Sequence, residues 1–276
     1  MPEPTWHQAN VAFANWADAQ TTALARVTPL LLEAEDAGAV TAWFYVRKNP
    51  CWRIRYQPHP DSADRINEHL DALTARQHIA GWTQTVYEPE VHAFGGPEAM
   101  AAAHRLFHQD SRNLATHLPD GARQHRRELS LLLCSLLMRS AGLDWYEQGD
   151  VWARVTAHRG DAPATTPEGQ DRLNAAVHRM ISVTGEDLVR PGERLAYAAD
   201  WAHAYTTAGT DLSHLTASGH LHRGLREVTA HHILFAWNRA GLPYTTQAAL
   251  AAAAKTAVFG PDPTTGREPH DRADSH

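Results

Sequence analysis

The sequence predicts an α+β fold, with a ferredoxin-like βαββαβ sheet region over residues 1–96 and a mainly helical region over 97–260. Residues 261–276 are expected to form a disordered tail, because PDPTTGREPHDRADSH is polar and rich in proline and charge. Three observations carry the fold class. Runs rich in β-branched and aromatic residues occur at 6–13, 41–48, 51–56 and 82–90, bounded by Gly, Pro or Asn. Two stretches between those runs carry apolar residues at helical spacing. Beyond residue 97 every periodic segment has the helical period.

WHQANVAF (6–13) alternates loosely, as a strand does, and ends before Asn15. From Trp16 to Gly38 the apolar residues Ala23, Leu24, Val27, Leu30, Leu31 and Ala34 share a helical stripe, and Gly38 is a natural stop. TAWFYVRK and CWRIRY read as two strands about a turn at Asn49-Pro50, the second ended by Pro58. Asp61 or Ser62 is placed to cap a helix running to about His78, with Ile66, Leu70 and Leu73 on one face. WTQTVYEPE (82–90) is the last strand, and Gly95-Gly96-Pro97 is the turn into the first helix of the second region. Helices are expected over 97–117, 122–141, 168–182, 191–207, 212–240 and 244–259, with 144–155 left unassigned. RRELSLLLCSLLMRSAGL is the most hydrophobic of these and is expected to be a central buried helix.

With 43% hydrophobic and 20% charged residues the composition is globular. A formal net charge of −6 without a concentrated basic face argues against a nucleic-acid partner. No apolar stretch approaches ~18 uncharged residues, so no membrane span is expected. The opening MPEPTWHQ lacks a basic segment leading into an apolar run, so no signal peptide is expected. Cys51 and Cys134 form no CxxC, which fits a reducing cytoplasm with free thiols. Histidine is abundant, at 19 residues, with His104 and His108 four apart and His231 adjacent to His232. None sits in an HExxH frame and no cysteine or acidic set completes a cluster, so no metal is expected.

Nucleotide and nucleophile-elbow motifs are absent: there is no GxxxxGK[ST], no GxGxxG after a strand and no GxSxG. What remains is polar residues at strand ends and helix starts. Arg53 and Arg55 share one face of their strand, where they repel unless acids or an anionic ligand answer them. Glu88 and Glu90 on the neighbouring strand are candidates to do so; a solvated face with surface ion pairs is the alternative. GARQHRREL offers Arg123, Arg126 and Arg127 as a basic patch or as an ordinary helix start.

WHQANVAFANW, WFYVRKNPCWRIRY, YEPEVHAFGG, HQDS and AWNRAGLP, in that order, resemble the thiopeptide-type bacteriocin biosynthesis family. That family comprises the C-terminal elimination domain of lantibiotic dehydratases and its stand-alone relatives. The resemblance runs from about Trp6 to Gly260 and implies one elimination-domain-like unit over 1–260. It also implies a modified ribosomal precursor peptide, leader plus core, as the partner, with no cofactor. One branch of the family removes glutamate from glutamylated Ser or Thr. A second branch, the pyridine synthases, joins two dehydroalanines in a formal [4+2] aza-cycloaddition, then loses water and the leader.

The elimination pattern reads His-x-Arg-x-Arg on the arginine strand, where this chain has Cys51-Trp52-Arg53-Ile54-Arg55. It carries Arg before the aromatic-Gly-Gly, where this chain has Ala93, and His four residues before Asn-Arg, where this chain has Leu234. These departures favour the pyridine synthase branch over a split glutamate-elimination subunit or a non-catalytic peptide scaffold. The resemblance gathers Tyr87, Glu88, Glu90, Asp110, Ser111 and His231 as catalytic candidates. It gathers Trp52, Arg53, Arg55, Phe94, Trp237, Asn238 and Arg239 as substrate-binding candidates, and the basic patch becomes a candidate leader surface. Asn238-Arg239 reads equally as a helix fastening, and Trp43, Trp52 and Trp237 as core.

Overall fold

The computed structural model describes residues 5–62, 64–117, 125–183, 189–193 and 195–260, so Arg123 and the expected tail lie outside the described residues. Strands β1 (His7–Ala12), β2 (Val40–Lys48), β3 (Cys51–Pro58) and β4 (Gly81–Thr85) form one antiparallel sheet in the order β2-β3-β1-β4. Each βαβ unit therefore encloses a strand of the other, which is the split arrangement expected from the sequence.

Registration sorts the strands into two chemically distinct faces. Pairing Ala9 with Ile54, Val11 with Trp52, and Ile54 with Tyr45 puts apolar residues on one side. That side packs on α2 (Thr28–Asp36) and α3 (Arg65–Ala75), and its residues join Leu31, Ile66 and Leu70 in the core. Pairing Gln8 with Arg55 and Thr85, Asn10 with Arg53 and Thr83, and Arg55 with Phe44 gives the other side a polar surface.

The second region is helical: α4 (Pro97–His117), α5 (Arg126–Ser140), α6 (Trp145–Arg159), α7 (Pro167–Ser182), α8 (Ala199–Ala217), α9 (Leu225–Arg239) and α10 (Tyr244–Phe259). Leu129 through Met138 of α5 are all buried, so the most hydrophobic segment is the central helix, packed on α8. One contiguous cluster of buried residues runs from Ala9 on the sheet to Ala254 on α10.

Strand β2 is an edge strand, and its outward backbone groups have no neighbouring strand to meet. Side chains from two helices meet them instead. The Trp43 N–H donates to His108 Nδ1 (3.2 Å) and the Tyr45 N–H to Ser111 Oγ (3.4 Å), both on α4. The Arg47 N–H donates to Asn238 Oδ1 (2.9 Å) on α9, and Asn238 Nδ2 returns a bond to the Arg47 carbonyl (2.9 Å). This spacing of two along the strand closes the edge against further pairing.

Several boundaries differ from the sequence expectation for identifiable reasons. The helix expected from Trp16 is broken into α1 (Ala19–Thr22), a π segment (Ala23–Val27) and α2, because Pro29 cannot donate to a carbonyl one turn back. Asp61 and Ser62 lie in a 3₁₀ turn (Pro60–Ser62), and α3 starts after Asp64 with no side-chain cap. Strand β4 ends at Thr85, before the Glu88-Pro89-Glu90 segment leaves the sheet. The unassigned 144–155 stretch is α6, opened by a capping box between Asp144 and Glu147, a D-x-x-E signal legible in the sequence. The helices expected at 191–207 and 212–240 are instead α8 and α9, separated by Ser218–Gly224 with Gly219 at φ 76°.

Replacing Asn238 with Ala strands two backbone groups of Arg47. We expect a loss of about 1–3 kcal/mol in urea unfolding, with Ser111→Ala costing less. An unchanged unfolding midpoint for Asn238→Ala would show that water replaces the tie at no cost.

Candidate active site

The polar face of the sheet is flanked by the 86–95 segment and by α4 and α9, and the chemistry-bearing residues converge there. Arg55 is buried, its Nε donating to Gln8 Oε1 (2.7 Å). Gln8 Nε2 in turn donates to Asn10 Oδ1 (3.1 Å) and Thr85 Oγ1 (2.9 Å), which locks the amide across three strands. The Arg55 guanidinium carbon lies 4.4 Å from the Tyr87 ring centroid and 5.3 Å from that of Phe44. Among the described residues neither Arg53 nor Arg55 makes an ion pair with a carboxylate. Burial pulls the Arg55 pKa down, with Tyr87 opposing and Arg53 adding to the effect, yet a guanidinium stays charged at neutral pH. A buried cation stacked on aromatic rings, with Glu90 acting on it only from beyond ion-pair distance, is suited to an anion or a developing oxyanion.

Tyr87 OH and His104 Nε2 are 2.9 Å apart. Burial pushes the Tyr87 phenol up to about 12 and the His104 imidazole down to about 4. At neutral pH the phenol is therefore the donor and the uncharged imidazole the acceptor. Trp6 closes the array, 4.6 Å from the His104 ring and 6.1 Å from that of Tyr87.

Glu90 pairs with His231 Nε2 at 2.9 Å. The hydrogen bond from His231 holds the half-exposed Glu90 carboxyl below its ordinary value against partial desolvation, and Arg55 and Lys48 add to that. Glu90 thus pairs directly with a histidine and acts on Arg55 only at longer range, and Glu88 is exposed beyond the strand end. His231 rests on Phe94 (4.7 Å) and Phe235 (5.0 Å), within an aromatic layer that includes Phe44 and Phe107.

The other candidates from the sequence lie behind this layer. Phe94 is 1% exposed and supports the two histidines of α9 from beneath. Asp110 is buried and accepts from Trp201 Nε1 (2.7 Å), Tyr205 OH (2.8 Å) and Arg239 Nε (2.5 Å). Ser111 and Asn238 close the β2 edge. Trp52 stacks on Tyr45 and Trp237 on Trp152; like Trp43, both are core, and they form no cleft. Arg126 donates to the Ala240 carbonyl (2.9 Å) at the end of α9, while Arg127 is exposed, so the two do not form one surface patch.

Two participants were missed. His104 was visible only as half of an i,i+4 histidine pair, but His104 turns to Tyr87 and His108 to Glu35 and the β2 edge. Arg223, in the connection before α9, donates to the Ala93 carbonyl (2.9 Å) and has no sequence signal of its own. Leu234 is buried in the core, and Ala93 directs only its carbonyl to Arg223. Among the described residues no three His, Cys, Asp or Glu side chains gather as a metal site requires.

A split βαββαβ sheet whose polar face is roofed by a helical region, with an array of arginine, tyrosine and histidine between, defines a class of protein. The chain belongs to the lantibiotic biosynthesis dehydratase C-terminal family, whose profile matches residues 6–258. Among solved structures it is similar to the tRNA-dependent lantibiotic dehydratase MibB from Microbispora sp. 107891, with a TM-score of 0.63 and 16% identity. That match covers 94% of this chain but only 28% of the dehydratase. It is also similar to TsrL, with a TM-score of 0.60 and 16% identity over 94% of this chain and 99% of TsrL. No curated protein matches the sequence. Among the described residues no helix is long and apolar enough to cross a membrane.

His104 and His232 make the site acid-sensitive. His232 is buried, both its ring nitrogens lack a partner among the described residues, and burial takes its pKa down to about 3. Both folded values lie below the unfolded 6.5, so the unfolded chain takes up protons first. Stability is complete above 6.5 and is lost progressively as pH falls toward 4 and 3. His232→Phe is expected to shrink the loss seen between urea unfolding at about pH 7 and about pH 4.5; an identical loss would contradict a buried neutral His232.

Proposed function

We propose that the chain is a peptide-modifying enzyme that joins two dehydroalanines of a leader-bearing precursor peptide into a pyridine by formal [4+2] aza-cycloaddition. The observation carrying this reading is the makeup of the polar face. It holds the Arg55 guanidinium and the Tyr87–His104 pair beside one carboxylate–histidine pair. At the positions where an eliminating relative carries its arginine and histidine, this chain has Ala93 and a buried Leu234.

Such a reaction asks more for positioning than for strong acid or base. Holding two alkenes in a near-attack pose supplies ~7–11 kcal/mol. In this proposal one amide reacts as its iminol tautomer: Arg55 donates to the carbonyl oxygen, Tyr87 turns its single O–H proton from His104 to that oxygen, and Glu90 accepts the N–H proton. Two carbon–carbon bonds then form, closing a six-membered ring with the iminol carbon and nitrogen inside it. The former carbonyl oxygen leaves as water, with a proton from the His231–Glu90 pair and one from the ring. The leader departs as its carboxamide when its nitrogen gains a proton and the ring loses one, which makes the ring aromatic.

Stand-alone glutamate elimination is the second reading, and one observation favours it. Arg223 and His231 bring an arginine and a histidine to the neighbourhood of Ala93 and Phe94 from elsewhere in the chain.

Incubation with a leader-bearing peptide containing two dehydroalanines, followed by mass spectrometry, is expected to release the leader amide and a pyridine macrocycle. Tyr87→Phe and Glu90→Gln should each slow turnover by about 10²-fold or more while leaving peptide affinity within a few-fold. Turnover of a glutamylated peptide alone would replace this reading with elimination, and binding without turnover would replace it with a scaffold role.

A further inference from the structure

Beside the polar face a groove of about 680 Å³ runs between α4, α8 and the start of β2. It meets the site at Trp6 and His104, which line the groove and also contact Tyr87. Its floor is made of small side chains, Ala102 from α4 with Ala204 and Ala208 from α8. Arg105 is the one lysine or arginine among its lining residues, and it is engaged by Asp211 across the two helices (2.9 Å). Asp200 adds a second carboxylate to the wall. Two carboxylates face the one guanidinium, so an acidic segment is disfavoured there, whereas an uncharged one finds a smooth floor and an indole wall. Thr41, at the irregular start of β2, opens into the groove, but the next outward backbone groups of that strand are taken by His108 and Ser111. A bound chain therefore cannot extend the sheet and is directed along the helices.

Resting on the peptide-modifying function proposed above, we infer that this groove is a second substrate subsite, holding an uncharged segment of the precursor peptide next to the reacting residues. A volume of about 680 Å³ is that of an ordinary ligand cleft, about 300–1,000 Å³, and has room for a few residues.

The test fills the groove from either wall. Ala101 and Thr207 are exposed lining residues on opposite helices, so Ala101→Trp and Thr207→Trp block the groove without entering the core. Fluorescence anisotropy on the full chain would use three labelled probes. The first is a leader-bearing peptide whose two dehydroalanines are joined by uncharged residues. The second is the same peptide with Asp in the joining segment, and the third is the leader alone. Each variant is expected to weaken the first probe about tenfold or more and leave the leader unchanged, and wild type should bind the Asp probe about tenfold more weakly. Unchanged affinity of the first probe in a folded variant would overturn the inference, as would equal weakening of the leader alone. Thermal melting by circular dichroism checks folding, and each wall serves as the alternative if the other variant unfolds. Because the readout is binding, a wild type that binds without turnover sinks the cyclase reading and leaves the groove decided. A wild type that binds none of the probes overturns both.

Discussion

The closed edge of β2 is the constraint on which the rest of the molecule depends. An open edge strand exposes a row of donors and acceptors that must be satisfied or shielded. Here α4 and α9 supply that satisfaction through His108, Ser111 and Asn238, and in doing so they fix their own positions against the sheet. The site follows from the same two helices. On α4, His104 precedes Ser111 by seven residues; on α9, His231 precedes Asn238 by seven. Seven residues are two turns, about 10 Å along the axis on nearly one stripe. One end of each stripe closes the sheet edge, and the other delivers an imidazole over the polar face. The fastening and the chemistry are therefore one geometric decision.

Behind this seam lies a second tie of opposite character. Asp110 and Arg239 form a buried ion pair, extended by Trp201 and Tyr205, that joins α4, α8 and α9. Among the described residues both Arg239 Nη atoms lack partners, and the guanidinium rests 4.4 Å from the Phe107 ring centroid. Two desolvated charges held this way add little net stability, but losing one partner strands the other. The pair is best understood as specifying which helix faces meet, so that the aromatic layer of Phe44, Phe94, Phe107 and Phe235 forms beneath the site. The carboxylate that looked catalytic in the sequence thus holds the platform.

The sheet and most helices were legible because their signals are local and periodic. Strand alternation gave all four strands, and α4 and α10 fall on their expected ranges. What failed locally failed where two signals competed. Leu212, Leu215, Leu221 and Leu225 carry an apolar pattern across Ser218–Gly224 and hid that break despite Gly219, whereas the Asp144 capping box was there to be read. The site was half legible. Period-two spacing put Arg53 and Arg55 on one face, and the segment after β4 did bring Tyr87 and Glu90 to it. Their partners, His104 and His231, come from helices far along the chain, and no spacing rule connects a strand exit to a helix stripe.

The Gly95-Gly96 pair shows how the loop chemistry is held. Both glycines have positive φ, and a side chain at either would strike the α8–α9 connection: a Cβ on Gly95 would lie 2.7 Å from Leu221, and one on Gly96 2.9 Å from His222. The His222 N–H donates to the Gly95 carbonyl (2.7 Å), and Arg223 reaches the carbonyl of Ala93. The connection therefore grips the segment carrying Tyr87 and Glu90 through its backbone. Arg223 is spent on that grip and on Glu227, which separates it from an arginine projecting toward substrate. In the proposed reaction the steadying of charge then falls to Arg55, whose guanidinium makes no ion pair with a carboxylate among the described residues. That is an arrangement for steadying charge that appears on a substrate oxygen, more than for carrying a proton away.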